Sequence, residues 1–116
     1  RARHPFNVNH LAQVAALAAL GDPDHVQRVR ALTHQGLEQL ERGLDKLGLR
    51  FAPSDANFLL VRLGRDAAEV GERLMRRGVI TRPLGGFGLR DCLRVTAGLP
   101  EENERLLAAL ASVVSG

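Results

Sequence analysis

Two arginines have the types and spacing to do chemistry. Arg94 stands inside the apolar run CLRVT, residues 92–96, and Arg82 closes VITR, residues 79–82. Side chains alternate between faces along a strand, so Arg94 shares a side with Cys92 and Thr96 while Leu93 and Val95 point the other way. Ile80 and Arg82 share a side by the same rule. Two adjacent short strands would then bring Arg82 and Arg94 to one side of a sheet, where two like charges repel unless an anion lies between them. The planar guanidinium fork offers two parallel charged hydrogen bonds to a carboxylate or phosphate. An anion site at Arg82 and Arg94 is therefore one reading. The other is that each arginine lays its stem along the sheet edge or pairs with Asp91 or a glutamate. From spacing alone the second is favoured, because most charged side chains are simply solvated.

Other chemistries find little support. His4, His10, His25 and His34 show no zinc-like spacing, and Cys92 is the only cysteine, so neither a metal site nor an internal disulfide is expected. No serine or cysteine stands in a glycine-rich elbow that would make a nucleophilic triad. The loop Gly85-Gly86-Phe87-Gly88 lacks the lysine and hydroxyl of a phosphate-binding P-loop and reads as a turn. Lys46, the one lysine, lies at the polar end of an amphipathic helix and reads as a solvated charge rather than a Schiff-base amine.

The elements that must position the two arginines follow from periodicity and punctuation. Asn7 or Asn9 caps a first helix with Leu11, Val14, Ala18 and Leu20 on one side, ending at Gly21. Asp22-Pro23 opens a longer helix to about Lys46, whose apolar stripe takes in Val26, Val29, Leu37, Leu40, Leu44 and Leu47. After Gly48, Leu49-Arg50-Phe51 reads as a short edge strand and NFLLVRL, residues 57–63, as a largely buried one. Asp66 and Glu69 have capping-box spacing for a third helix with Val70, Gly71, Leu74 and Met75 inward. VITR and CLRVT read as two strands joined by the glycine-rich turn. Leu99-Pro100 opens a last helix with three glutamates, Glu101, Glu102 and Glu104, at its positive end. The fold class is α+β: two helices, then a small sheet covered by helices on one face.

Composition bounds the function. At 116 residues the chain has the size of one ordinary domain, and none of its apolar runs is long enough to span a bilayer, so no membrane role is expected. RARHPFNVN is not followed by the apolar segment of a secretory signal, and a cytoplasmic protein is expected. Sixteen basic residues against 13 acidic give a net charge of +3, and the only aromatics are four phenylalanines. That pattern lacks the clustered basic face and stacking rings of a nucleic-acid binder.

Three stretches together resemble the C-terminal part of histidinol-phosphate aminotransferase, a pyridoxal-phosphate enzyme family of the aspartate aminotransferase fold (fold type I). They are RxPFNVNxLAQxAALAAL at the start, ANFLLV in the middle, and RRGVITRPLGGFGLRDCLRVTAGLPEENERLLAAL from Arg76 onward. The resemblance implies that residues 1–47 are helices from the end of a large domain and its linker, and that residues 48–116 are the small domain. It implies that Arg94, in LRVT, holds the anionic end of the substrate and that Arg82, in VITR, assists in binding its phosphate. It also implies pyridoxal phosphate as cofactor, a full-length homodimer, and an amino-group transfer from glutamate to imidazole-acetol phosphate that gives histidinol phosphate and 2-oxoglutarate. The lysine that forms the Schiff base, and the aspartate and tyrosine that hold the ring, are expected upstream of these residues, so the chain alone is expected to be inactive. A threonine-phosphate decarboxylase, an aromatic or broad-range aminotransferase, and a non-catalytic module with an anion pocket are the alternative readings.

Overall fold

The computed structural model describes residues 7–114, which lie in two compact units that divide between Ala31 and Leu32. His4 and the Pro5-Phe6 pair fall outside the described residues.

The first unit holds helix α1, His10–Ala19, and the opening turns of α2, Pro23–Lys46. Asn9 is the cap that forms: its side chain accepts from the Ala12 N–H at 2.8 Å. Asp22 does the same for α2, accepting from His25 N–H at 2.8 Å, with Pro23 in the first helical position where no donor is needed. The apolar stripe expected to face inward here does not. Leu11, Val14, Leu20, Val26 and Val29 are all exposed, because an amphipathic face is buried only where a second layer meets it and this unit supplies none.

The second unit is the α+β body. From Leu37 onward α2 does bury its stripe, with Leu37, Leu40 and Leu44 at helical spacing. Strands β1 (Arg50–Ala52), β2 (Phe58–Arg62), β3 (Arg82–Leu84) and β4 (Leu89–Thr96) form an antiparallel sheet in the order β1-β2-β4-β3. Helices α3 (Ala67–Met75) and α4 (Pro100–Val114) complete it.

One face of the sheet makes the core. Leu59 and Val61 of β2 and Leu93 and Val95 of β4 are buried against Leu40 and Leu44, Val70 and Leu74, and Leu106, Leu110 and Val113. Each such leucine contributes about 1.5–3 kcal/mol by leaving water. β2 is therefore half-buried rather than largely buried: Leu59 and Val61 face the helices, while Phe58, Leu60 and Arg62 face away.

The helix ends set the strand starts. Gly48 (φ 68°) and Gly78 (φ 73°) adopt the left-handed conformation that stops α2 and α3, and the next residue's N–H closes each end: Leu49 to Leu44 C=O and Val79 to Leu74 C=O, both at 3.0 Å. At the start of α3, Asp66 accepts from Ala68 N–H at 2.7 Å, the second helical residue rather than the third, so the expected capping box with Glu69 is a simple cap. Met75 is exposed, not inward: it is the last residue of α3, where the helix closes at Gly78 and packs no further.

Candidate anion-binding site

The strand expected over residues 79–82 is displaced. Val79–Thr81 is irregular and pairing begins at Arg82, because the chain leaving Gly78 must first close the end of α3 through Val79. Pro83 is tolerated since β3 is an edge strand, and it comes close to α3: a Cβ on Gly71 would lie 2.9 Å from Pro83 Cγ. The glycine-rich segment forms a short 3₁₀ turn, Gly85–Phe87, released by Gly88 at φ 80°.

Despite that shift, Arg82 and Arg94 are direct cross-strand partners in the β3–β4 register. Cβ atoms of such partners lie roughly 4.5–5.5 Å apart, and like charges there are destabilising. Both arginines are exposed, and among the described residues neither has a carboxylate partner. Asp91, the acid expected as a local partner, goes elsewhere: its Oδ2 lies 3.4 Å from Arg62 Nε. Arg94 instead sits over the ring of Phe58, with its guanidinium carbon 5.3 Å from the ring centre. That contact covers one guanidinium face and leaves the fork's N–H edge free to donate.

The antiparallel register places four arginines on the open side of the sheet. Arg50 is opposite Arg62 across β1 and β2, and Arg82 is opposite Arg94 across β3 and β4. Arg94 is in turn opposite Leu60, which shares its face of β2 with Arg62. With Asp91 the one acid paired among them, this face carries a positive field that attracts anions. Arg50, Arg62 and the Phe58 ring were not singled out from sequence; the signal that finds them is the alternation along β2, once β1 and β4 are known to flank it.

A recess of about 390 Å³ opens where the β3–β4 pairing stops. Thr81, Arg82, Arg94 and Thr96 supply its polar lining, with Ile80 and Leu106 among its apolar walls. This same end of β4 is held firmly. Ala97 N–H donates to Asn57 C=O at 2.9 Å, and the buried Asn103 side chain bonds both backbone groups of Gly98.

The other residues considered from sequence stay apart from this recess. No cluster of histidine, cysteine or acid among the described residues could hold a metal, and Cys92 is buried and free. Lys46 is exposed in the last turn of α2. No helix among the described residues is long and apolar enough to cross a membrane.

Comparison with known proteins matches the chain to a family. Residues 1–110 fit the family model for aminotransferase class I and II. The chain is 54% identical over 113 residues to a histidinol-phosphate aminotransferase of Symbiobacterium thermophilum, which covers 97% of this chain and 31% of that protein. It is 51% identical over 115 residues to histidinol-phosphate aminotransferase 2 of Pseudomonas aeruginosa, covering 99% and 31%. Among solved structures, histidinol-phosphate aminotransferase from Sinorhizobium meliloti in complex with pyridoxal-5'-phosphate superposes with a TM-score of 0.83 at 30% identity, over 98% of this chain and 32% of that one. The enzyme of that name from Clostridium acetobutylicum shares the fold at a TM-score of 0.83 and 24% identity, over 98% and 36%. The chain thus spans about a third of the length of the relatives it matches.

Proposed function

The chain belongs to the aminotransferase class I and II family, and from that premise we propose that it forms the substrate-anchoring part of a pyridoxal-phosphate-dependent aminotransferase acting on histidinol phosphate. The observation that carries this reading is the name shared by relatives at 54% and 51% identity over nearly the whole chain. The open-face arginine pair supports it, because a phosphate ester or carboxylate is the ligand that two unpaired, directly opposed guanidiniums fit.

In this reading the division of labour is clear. Pyridoxal phosphate, when bound, supplies the electron sink for amino-group transfer. The residues present here do not fit its aldehyde, since the one lysine is the exposed Lys46, and the cofactor is held by polypeptide beyond these 116 residues. What this chain contributes is binding and orientation. Arg94, braced on Phe58, and Arg82 across the ladder neutralise the anionic end of the substrate and fix its distance from the reacting carbon. One fork can accept in turn the phosphate of histidinol phosphate and a carboxylate of glutamate, the dual recognition that an amino-group transfer between them requires. Bound anion also cancels the repulsion between the two arginines, so binding stabilises the strand pair that carries them.

The same reading makes the whole protein a cytoplasmic homodimer, testable by sedimentation of the full-length polypeptide. Its chemistry is tested by titrating the full-length protein, loaded with pyridoxal phosphate, with histidinol phosphate and then with threonine phosphate. Conversion of the cofactor's absorbance to that of pyridoxamine phosphate by histidinol phosphate is the expected result. Release of carbon dioxide from threonine phosphate would assign the decarboxylase instead, and a protein that binds no cofactor would leave an anion-binding module.

A further inference from the structure

Thr81 carries the one buried side-chain polar atom among the described residues with no hydrogen-bond partner, its Oγ1. Leaving a buried hydroxyl unpaired is unfavourable, and proteins retain such groups rarely. This one is adjacent in sequence to Arg82 and lines the recess that holds Arg82 and Arg94. Thr81 also lies in the irregular stretch before β3, so no ladder fixes which way its side chain turns. The residue as a whole is only half-buried although its Oγ1 is covered. A change of χ1 between staggered wells exchanges hydroxyl and methyl, which brings the hydroxyl to the recess without moving the backbone.

The anion's shape gives that hydroxyl a use. A carboxylate has two oxygens in one plane, and a single guanidinium fork satisfies both. A phosphate monoester has three terminal oxygens arranged tetrahedrally, so planar forks leave acceptor sites that point out of their planes. A hydroxyl beside the two arginines can donate to one of these, and a carboxylate gains nothing comparable from it.

We propose that Thr81 is the specificity-determining third donor of the recess, turning its hydroxyl onto a phosphate monoester and so favouring phosphorylated substrates over carboxylates at Arg82 and Arg94. This rests on the aminotransferase reading above and adds to it a residue and a criterion for substrate choice. Loss of the donor leaves carboxylate binding untouched, because Arg94 alone satisfies a carboxylate.

The test uses the full-length protein in its pyridoxamine-phosphate form, with which neither amino donor reacts, and Kd for histidinol phosphate and for glutamate is measured by calorimetry on wild type, Thr81→Val and Thr81→Ser. Thr81→Val should weaken histidinol phosphate about tenfold, the worth of one hydrogen bond to a charged group, and leave glutamate within about twofold. Thr81→Ser should restore binding of the phosphate ester. The melting temperature of Thr81→Val should be unchanged or higher, since valine removes an unpaired hydroxyl; a lower one, or equal weakening of both ligands, would mark a structural role and overturn the proposal. Unchanged affinity of Thr81→Val for histidinol phosphate overturns it as well while the functional reading stands. A wild-type protein that binds neither ligand would sink both together.

Discussion

Asn103 grips Gly98 at both of its backbone poles. Asn103 Oδ1 accepts from Gly98 N–H at 2.9 Å, and Nδ2 donates to Gly98 C=O at 3.2 Å. The second Nδ2 hydrogen goes to Gln39 Oε1 at 3.0 Å, and Gln39 Nε2 continues to Pro100 C=O at 3.0 Å. A short relay of side-chain amides thus ties α2, the turn after β4 and the first turn of α4 into one body, and it anchors the strand that carries Arg94.

Breaking that relay should be costly. Asn103→Ala strands the Gly98 N–H and one Gln39 acceptor in a part-buried site, and each lost bond with its unsatisfied partner is worth about 1–3 kcal/mol. Urea denaturation of the 116-residue chain should show a loss of roughly 2–4 kcal/mol, with several bonds failing together. A loss below about 0.5 kcal/mol, the range of ordinary surface substitutions, would mean that the turn is held by something else.

Two glycines in α2 should respond oppositely to alanine. Either substitution gains about 1 kcal/mol of helix propensity. At Gly36 the new Cβ meets Ala97 Cβ at 3.1 Å, Asn103 Nδ2 at 3.2 Å and Gly98 O at 3.3 Å, the last two being parts of the relay and the backbone it clamps. Those atoms have little room to give, so the usual overpacking cost of about 1–3 kcal/mol outweighs that gain and Gly36→Ala should destabilise by up to about 2 kcal/mol on balance. At Gly43 the conflict is with the tip of Leu107, a half-buried side chain on α4 that can change rotamer. Gly43→Ala should be neutral or slightly stabilising in the same denaturation experiment, and a reversed ranking would refute the contact argument.

Much of this organisation is legible in the sequence, and the illegible part has a physical cause. Asn9, Asp22 and Asp66 announce three helix starts because a short polar side chain before an apolar periodicity has one favourable use there. The face of Arg94 follows from strict alternation along CLRVT. The start of β3 does not, because Val79 is drawn into closing α3, a demand that strand propensity cannot reveal. Val26 and Val29 look like Leu40 and Leu44 in the periodic pattern, yet only the latter meet a sheet. The ring under Arg94 comes from β2, some 36 residues away, a pairing set by register and invisible to local spacing.

The arginine pair should oppose stability and function. Arg82→Gln removes a like charge opposite Arg94 and should stabilise the 116-residue chain at low salt by a few tenths of a kcal/mol up to about 1. Raising the salt to about 1 M shortens the screening length to about 3 Å and should erase that gain. A salt-independent change would mean that repulsion between the two side chains is not its source.

Arg94 and Phe58 should separate binding from its bracing. Arg94→Ala in the full-length protein removes the fork itself and should cost about 2–5 kcal/mol of substrate binding, the penalty for truncating one partner of a desolvated charge pair. Cofactor content should be unaffected, since no residue of this chain is placed on it. Phe58→Leu keeps the fork and an apolar surface but loses the ring 5.3 Å from the guanidinium carbon. A cation–π contact at such a site is worth about 0.5–1 kcal/mol, so Kd for histidinol phosphate should rise only about two- to fivefold. The double variant distinguishes bracing from independent contact: if Phe58 acts through Arg94, adding Phe58→Leu to Arg94→Ala should weaken binding no further. An additive loss in calorimetry would show that the Phe58 ring meets the substrate directly.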